Sequence, residues 1–231
     1  MADRPTHPEP VPAASQLLVL PFLSAVHGLL ARDSNGAKLR ITMHRVMSRE
    51  GYGYLQQICT YFGSSSFDQS KAGRMFTVDT GIMGAAFDNS RIQRTRYYTT
   101  REALDADLRQ DLEELGKESE FGQVPVSYVA IPFVGIEGKA VIILYADCDS
   151  LNFFAADDRL ITLIDMCSKF CDLLDWINYE QPFELIRNYP LKIGALPYDR
   201  PTVFRRLQET VTMDPPKSKS LSSLNFDVSV A

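Results

Sequence analysis

Residues 127–147 read SYVAIPFVGIEGKAVIILYAD. Two apolar runs, Ser127 to Val134 and Lys139 to Asp147, flank Gly135-Ile-Glu-Gly138. Runs rich in β-branched residues joined by a short glycine-bearing turn form a β-hairpin, so a central hairpin is expected here. Working outward, Thr99 to Glu102 fits the S/T-x-x-E capping box, and Leu104, Leu108, Leu112 and Leu115 mark one apolar stripe ending at Gly116, which predicts a helix. On the other side, Leu160, Leu163, Ile164, Cys167, Phe170, Cys171, Leu174 and Ile177 recur at helical spacing and predict a long helix from about Asp157 to Ile177.

Further toward the N-terminus, Arg74 to Val78 reads as a short strand leading into Asp79-Thr-Gly-Ile-Met-Gly-Ala-Ala-Phe87, a short helix with Asp79 or Thr80 as cap. Leu39, Ile41 and Met43 alternate with Arg40, Thr42 and His44, the period of a half-buried strand over 39–46, with Tyr52 to Phe62 as its hairpin partner and a loop from Gly63 to Phe67. Leu20, Leu23, Val26 and Leu30 predict a helix over about 15–31, which Pro21 opens or kinks.

The chain of 231 residues is 45% hydrophobic and 23% charged, enough for one sizeable core. Residues 1–14, with Pro5, Pro8, Pro10 and Pro12, read as a disordered leader; 15–178 as the folded domain; 179–213 as an extension with a short helix over 201–211; and 214–231 as a disordered Ser/Pro/Lys-rich tail. A net charge of −5 gives no attraction toward phosphate backbones or anionic lipid, so neither nucleic acid nor membrane is expected as a partner. The apolar stretch Leu17 to Leu30 falls short of the ~20 residues of a membrane span and lacks the flanks of a secretory signal, so a cytoplasmic protein is expected. Cys59, Cys148, Cys167 and Cys171 form no C-x-x-C pair and have no histidine at metal-ligand spacing; they read as reduced, buried thiols.

The order of helix, two strands, strand with a Gly-x-x-Gly helix, capped helix, hairpin and long helix resembles the GAF family of sensory domains over about residues 15–178. Gly81-Ile-Met-Gly-Ala-Ala-Phe87 looks like that family's short helix beside the ligand cavity. Ser127-Tyr-Val-Ala-Ile-Pro-Phe133 with Gly138-Lys-Ala-Val-Ile-Ile-Leu144 is similar to its S-x-x-x-[IV]-P hairpin, and Phe153-Phe-Ala-Ala-Asp-Asp158 to the F-x-x-x-D approach to its last helix. The resemblance implies an α+β fold with an antiparallel sheet of five or six strands, the terminal helices on one face, and a pocket on the other roofed by about residues 81–126. It also implies binding rather than catalysis. The reductases of this fold use cysteines lining the cavity, and tetrapyrrole-binding members attach their chromophore through one. Here no cysteine falls in residues 60–147. Cyclic-nucleotide-binding members carry an N-K pair before F-x-x-x-D-E; here Asn152 directly precedes Phe153 with no lysine after it, and Asp158 replaces the Glu.

Two constellations carry binding chemistry. Arg91, Arg94 and Arg96, with Tyr97, Tyr98 and the helix start at Thr99-Thr100, combine guanidinium donors, aromatic faces and backbone N–H groups suited to an anionic or nucleotide-like ligand. The competing reading is that these arginines pair with the following helix, where residues 102–120 hold eight acids against Arg109 and Lys117. The second is a scatter of polar residues among apolar neighbours in the sheet: His44, Tyr54, Gln56, Thr60, Tyr128 and Tyr145. His44 reads as an exposed strand histidine rather than a base. The site expected from sequence is therefore Arg94, Arg96, Tyr97, Thr99, Gly84, Tyr128 and Tyr145, with no catalytic or metal-ligating residue and no cofactor that the sequence identifies. The expected function is a non-catalytic regulatory domain that binds a small molecule and signals to a separate partner as a homodimer. An interaction module with a collapsed pocket and a cysteine-dependent reductase are the alternatives.

Overall fold

The computed structural model describes residues 11, 13–49, 52–63, 71–78, 81–115, 126–180, 207–209 and 213–217. Helix α1 (Ala13–Arg32) leads into strands β1 (Leu39–Arg49), β2 (Tyr52–Gln57) and β3 (Met75–Thr77). Helix α2 (Gly81–Asn89), strand β4 (Gln93–Thr95), helix α3 (Arg101–Leu115), the hairpin β5 (Ser127–Val134) and β6 (Ala140–Cys148), and helix α4 (Asp157–Glu180) follow, with β7 (Leu207–Glu209) last. A 3-10 turn, Phe153–Ala155, introduces α4. The fold is α+β: one antiparallel sheet in the order β3-β2-β1-β6-β5-β4-β7, flanked by helices.

The expected central hairpin sits at the middle of this sheet, where β6 pairs β5 on one side and β1 on the other. Its residues are buried on both faces, which explains why the two runs are almost continuously apolar. On one face Ile41, Met43, Val129, Ile131, Phe133, Leu144 and Ala146 meet α1 and α4 through Leu23, Val26, Leu160, Leu163, Cys167 and Phe170. Phe22 stacks on Phe170 at 4.3 Å between centroids and joins the two helices. On the other face Ile82, Met83 and Ala86 of α2 pack on Val46, Leu55, Ala130 and Ile143. Pro21 lies inside α1.

Three local readings need correction. The strand expected over 52–62 ends at Gln57; the chain then rejoins the sheet at Phe62, which exchanges two backbone hydrogen bonds with Ile41 (3.0 and 2.8 Å). The cap of α3 is Thr100 rather than Thr99, since its Oγ1 accepts the Ala103 N–H at 3.3 Å and the first helical residue is Arg101. Of the helix expected over 201–211, the described part, Leu207–Glu209, is a strand paired with β4, because pairing the open sheet edge outweighs local preference. The leader, most of the tail and the expected loop at 64–67 lie outside the described residues.

Candidate functional site

The face of the sheet under α2 carries a polar array that strand register places side by side. In β1 the alternate residues Arg40, Thr42 and His44 lie opposite Asp147, Tyr145 and Ile143 of β6, and Tyr128 of β5 lies opposite Asp147. Directly paired residues of antiparallel strands share a face. Arg40 donates from Nε and Nη2 to the two carboxylate oxygens of Asp147 at 2.8 and 2.7 Å, and Tyr145 donates its hydroxyl to the same carboxylate at 3.0 Å. The Arg40 guanidinium also lies 4.9 Å from the centroid of the Tyr61 ring, and Tyr61 meets Tyr145 edge to face.

Electrostatics follow from this geometry. The hydrogen bonds to Asp147 raise the pKa of Arg40, so the guanidinium is permanently charged and already neutralised. Burial, reinforced by Asp147, pushes Tyr145 well up and Tyr128 up to about 12, so both phenols stay protonated donors at neutral pH. Arg101 and Asp105 of the first turn of α3 act on Tyr128 in opposite directions.

His44 is 0% exposed, against the expectation of an exposed strand histidine. Its ring stands edge-on to Phe76 (5.5 Å) and Tyr145 (6.4 Å), and neither ring nitrogen has a hydrogen-bond partner. Burial, followed by the positive charge of Arg74, lowers its pKa to about 3, so the ring is neutral. Opposite it in β2 stands Gln57, also fully buried. Its Nε2 donates to the Cys59 carbonyl at 2.8 Å while its Oε1 has no partner. Sequence reasoning passed over Gln57, Arg40, Asp147 and Tyr61. Alternation along β1 was the available signal, since Arg40 and His44 share the parity of Thr42.

Among the expected site residues, Tyr128 and Tyr145 belong to this face, and Gly84 is buried in the helix that covers it. Arg94 does not join them. Its partner in β5 is Val129, which faces α1 and α4, and its guanidinium turns the same way. There Nη1 donates to the carbonyls of Phe154 (3.3 Å) and Ala155 (3.1 Å), and Nη2 pairs with Asp157 at 2.6 Å. Arg96 pairs with Asp107 of α3, as the competing reading had it, and donates to the Tyr98 hydroxyl, which itself donates to Asp107. Tyr97 and Thr99 are exposed beside it. Tyr98 is held by Asn152, whose side chain accepts from the Tyr98 N–H at 2.8 Å and donates to its carbonyl at 2.6 Å, with Asn152 itself at φ 62°. Gln56, whose Oε1 accepts from Arg45, and Tyr54 have the opposite parity to Gln57 in β2.

A separate apolar groove of about 450 Å³ runs between α1 and α4, lined by Leu18, Pro21, Phe22, Met166, Phe170 and Leu173 together with Asp165 and Lys169. Leu17 (72%) and Trp176 (51%) are exposed on the same two helices. All four cysteines are buried, and burial raises the pKa of each thiol, that of Cys59 to about 11. Among the described residues no group of three or more His, Cys, Asp or Glu side chains is placed to hold a metal ion, and no helix is long and apolar enough to cross a membrane.

No family model and no curated protein matches this chain. Among solved structures it is similar to a GAF domain at 12% identity and a TM-score of 0.34, over 66% of this chain and 86% of that one. It is also similar to the C-terminal domain of the E. coli transcriptional regulator KdgR (18%, TM-score 0.30, 64% and 93%), and to a Rhodococcus protein described as an IclR-family transcriptional regulator (14%, TM-score 0.27, 64% and 59%). Likeness at this level says nothing of a ligand or a role.

Proposed function

We propose that this chain is a non-catalytic regulatory domain of the GAF type that binds a small molecule against the α2 face of its sheet. In this reading it acts in the cytoplasm, and binding biases a conformation that a dimer built on α1 and α4 passes to a separate partner. The observation that carries the reading is His44, a polar ring buried on that face of the sheet against Phe76 and Tyr145, with both nitrogens unpartnered beside the Arg40–Asp147–Tyr145 array. Buried polar atoms are nearly always satisfied, so an orphaned one calls for a reason, and a ligand that completes it is the reason this reading supplies. Leu17 and Trp176, exposed on the helices of the opposite face, support the dimer.

The test is a thermal-shift screen of metabolites on the full chain, in which a true ligand at a hundred times its Kd adds ~2.7 kcal/mol of stability. Light scattering on the same samples is expected to give twice the 26.0 kDa chain mass. A blank screen with an intact dimer would favour an interaction module instead, for which the groove between α1 and α4 is the supporting observation. A cysteine-dependent reductase draws no support from four thiols that burial holds protonated.

A further inference from the structure

We propose that His44 and Gln57 form a recognition edge for a neutral, planar molecule carrying a cyclic amide, whose N–H is taken by Gln57 Oε1 and whose carbonyl accepts the imidazole N–H. This rests on the reading of the α2 face as a ligand site and specifies the ligand's chemistry. The two residues are register partners on β1 and β2, so their side chains leave the sheet together on one face. Both are 0% exposed, and between them they leave three polar atoms without partners.

The orientation of each group is constrained. Gln57 Nε2 is committed to the Cys59 carbonyl, which fixes the amide and leaves Oε1 as a pure acceptor. A neutral imidazole supplies one N–H donor and one acceptor. An acceptor next to a donor is the complement of an N–H next to a C=O, the edge that a ring amide presents. Phe76 and Tyr145 stand edge-on to the imidazole, so the neighbours of this edge are aromatic rings, which suits a flat molecule.

Charge argues the same way. A carboxylate or phosphate placed here would have to displace Asp147 from the bidentate grip of Arg40 and from the Tyr145 hydroxyl. The cation that acts on His44, Arg74, is exposed and lies over the Phe76 ring at 5.2 Å. A neutral ligand leaves the Asp147 network intact and needs only the two orphaned side chains.

The experiment is a 15N-histidine NMR titration of the full chain, which holds three histidines, with uracil and 2-pyridone as neutral cyclic amides and orotate and inorganic phosphate as charged probes. The expected result is that a neutral probe moves both His44 ring-nitrogen resonances, with the ring neutral throughout. The same probe is expected to bind at least tenfold more weakly to His44→Phe, whose melting temperature without probe equals or exceeds that of the wild type. Movement by orotate or phosphate alone overturns the inference while leaving the face a ligand site. If no probe moves His44 and His44→Phe only raises the melting temperature, an enclosed water completes the ring, and both the inference and the observation behind the ligand site fall. Should His44→Phe not fold, the wild-type titration decides by itself.

Discussion

Protonating His44 would place a charge among Phe76, Ile143 and Tyr145, beside a guanidinium at Arg74. Its pKa is about 3 in the folded chain against about 6.5 in an unfolded one, so between those values the unfolded state binds more protons. The stability that neutral His44 allows is therefore present above about pH 6.5 and is lost as pH falls toward 3. Between pH 7 and pH 5 the wild type is expected to lose about 2 kcal/mol more than His44→Phe, measured by urea unfolding at the two values, because carboxylate contributions cancel in the comparison. Equal losses would mean that the ring is charged or solvated in the folded protein. How much of the site was legible turns on parity at this scale. Tyr128 and Tyr145 stood out as polar residues in apolar strands. His44 was noticed and misplaced, because alternation shows which residues share a face but not whether that face is covered. Phe76 of β3 and Tyr145 of β6 stand against the ring, and which strands close over a residue of β1 is a tertiary fact that no local pattern contains.

At the scale of elements, Arg94 fastens β4 to the beginning of α4. Three hydrogen bonds run from its guanidinium to Phe154, Ala155 and Asp157, while Asn152 ties the preceding loop to Tyr98 from the same turn. Arg94→Ala is expected to cost ~1–3 kcal/mol, since two carbonyls at the start of the helix lose charged donors. Arg96→Ala, whose side chain is 47% exposed, is expected to cost ~1 kcal/mol or less. Chemical denaturation of the two single variants checks the contrast, and equal costs would place Arg94 outside the fold's framework. The long helices and the central hairpin were readable because their periods are sustained over many residues. Strand β4 was not, because three residues are too few to show a period; without it the direction of the Arg94 side chain could not be read. The shift of the α3 cap from Thr99 to Thr100 has a similar origin, in that two adjacent threonines offer the same chemistry and only the path of the chain chooses between them.

On the scale of the whole molecule, β7 covers the edge of the sheet that β4 would otherwise expose, with Gln93, Arg94 and Thr95 opposite Glu209, Gln208 and Leu207. Beyond it, Val134 N–H donates to the Pro216 carbonyl at 3.1 Å and Met213 packs on the core shared by α1 and α4. Removing residues 207–231 is expected to lower the melting temperature and to raise light scattering at equal concentration, because a bare edge strand is a template for pairing with another copy. An unchanged melting temperature and a clear solution would show that β7 only rests on the sheet. Sequence patterning favoured a helix there because the need for an edge partner arises only once the sheet exists. Its position also sets an order of assembly. Joining residue 93 to residue 209 closes a loop over more than half of the described range, and that entropy is lost before any bond of the pair compensates for it. The β5–β6 hairpin can form from neighbours in the chain, whereas β7, held by three register pairs against the seven between β1 and β6, is expected to dock last on folding and to detach first on opening. In hydrogen exchange this makes the β4–β7 border a subglobal unit that opens at lower free energy than the β1–β6–β5 centre, so the sheet yields from one side.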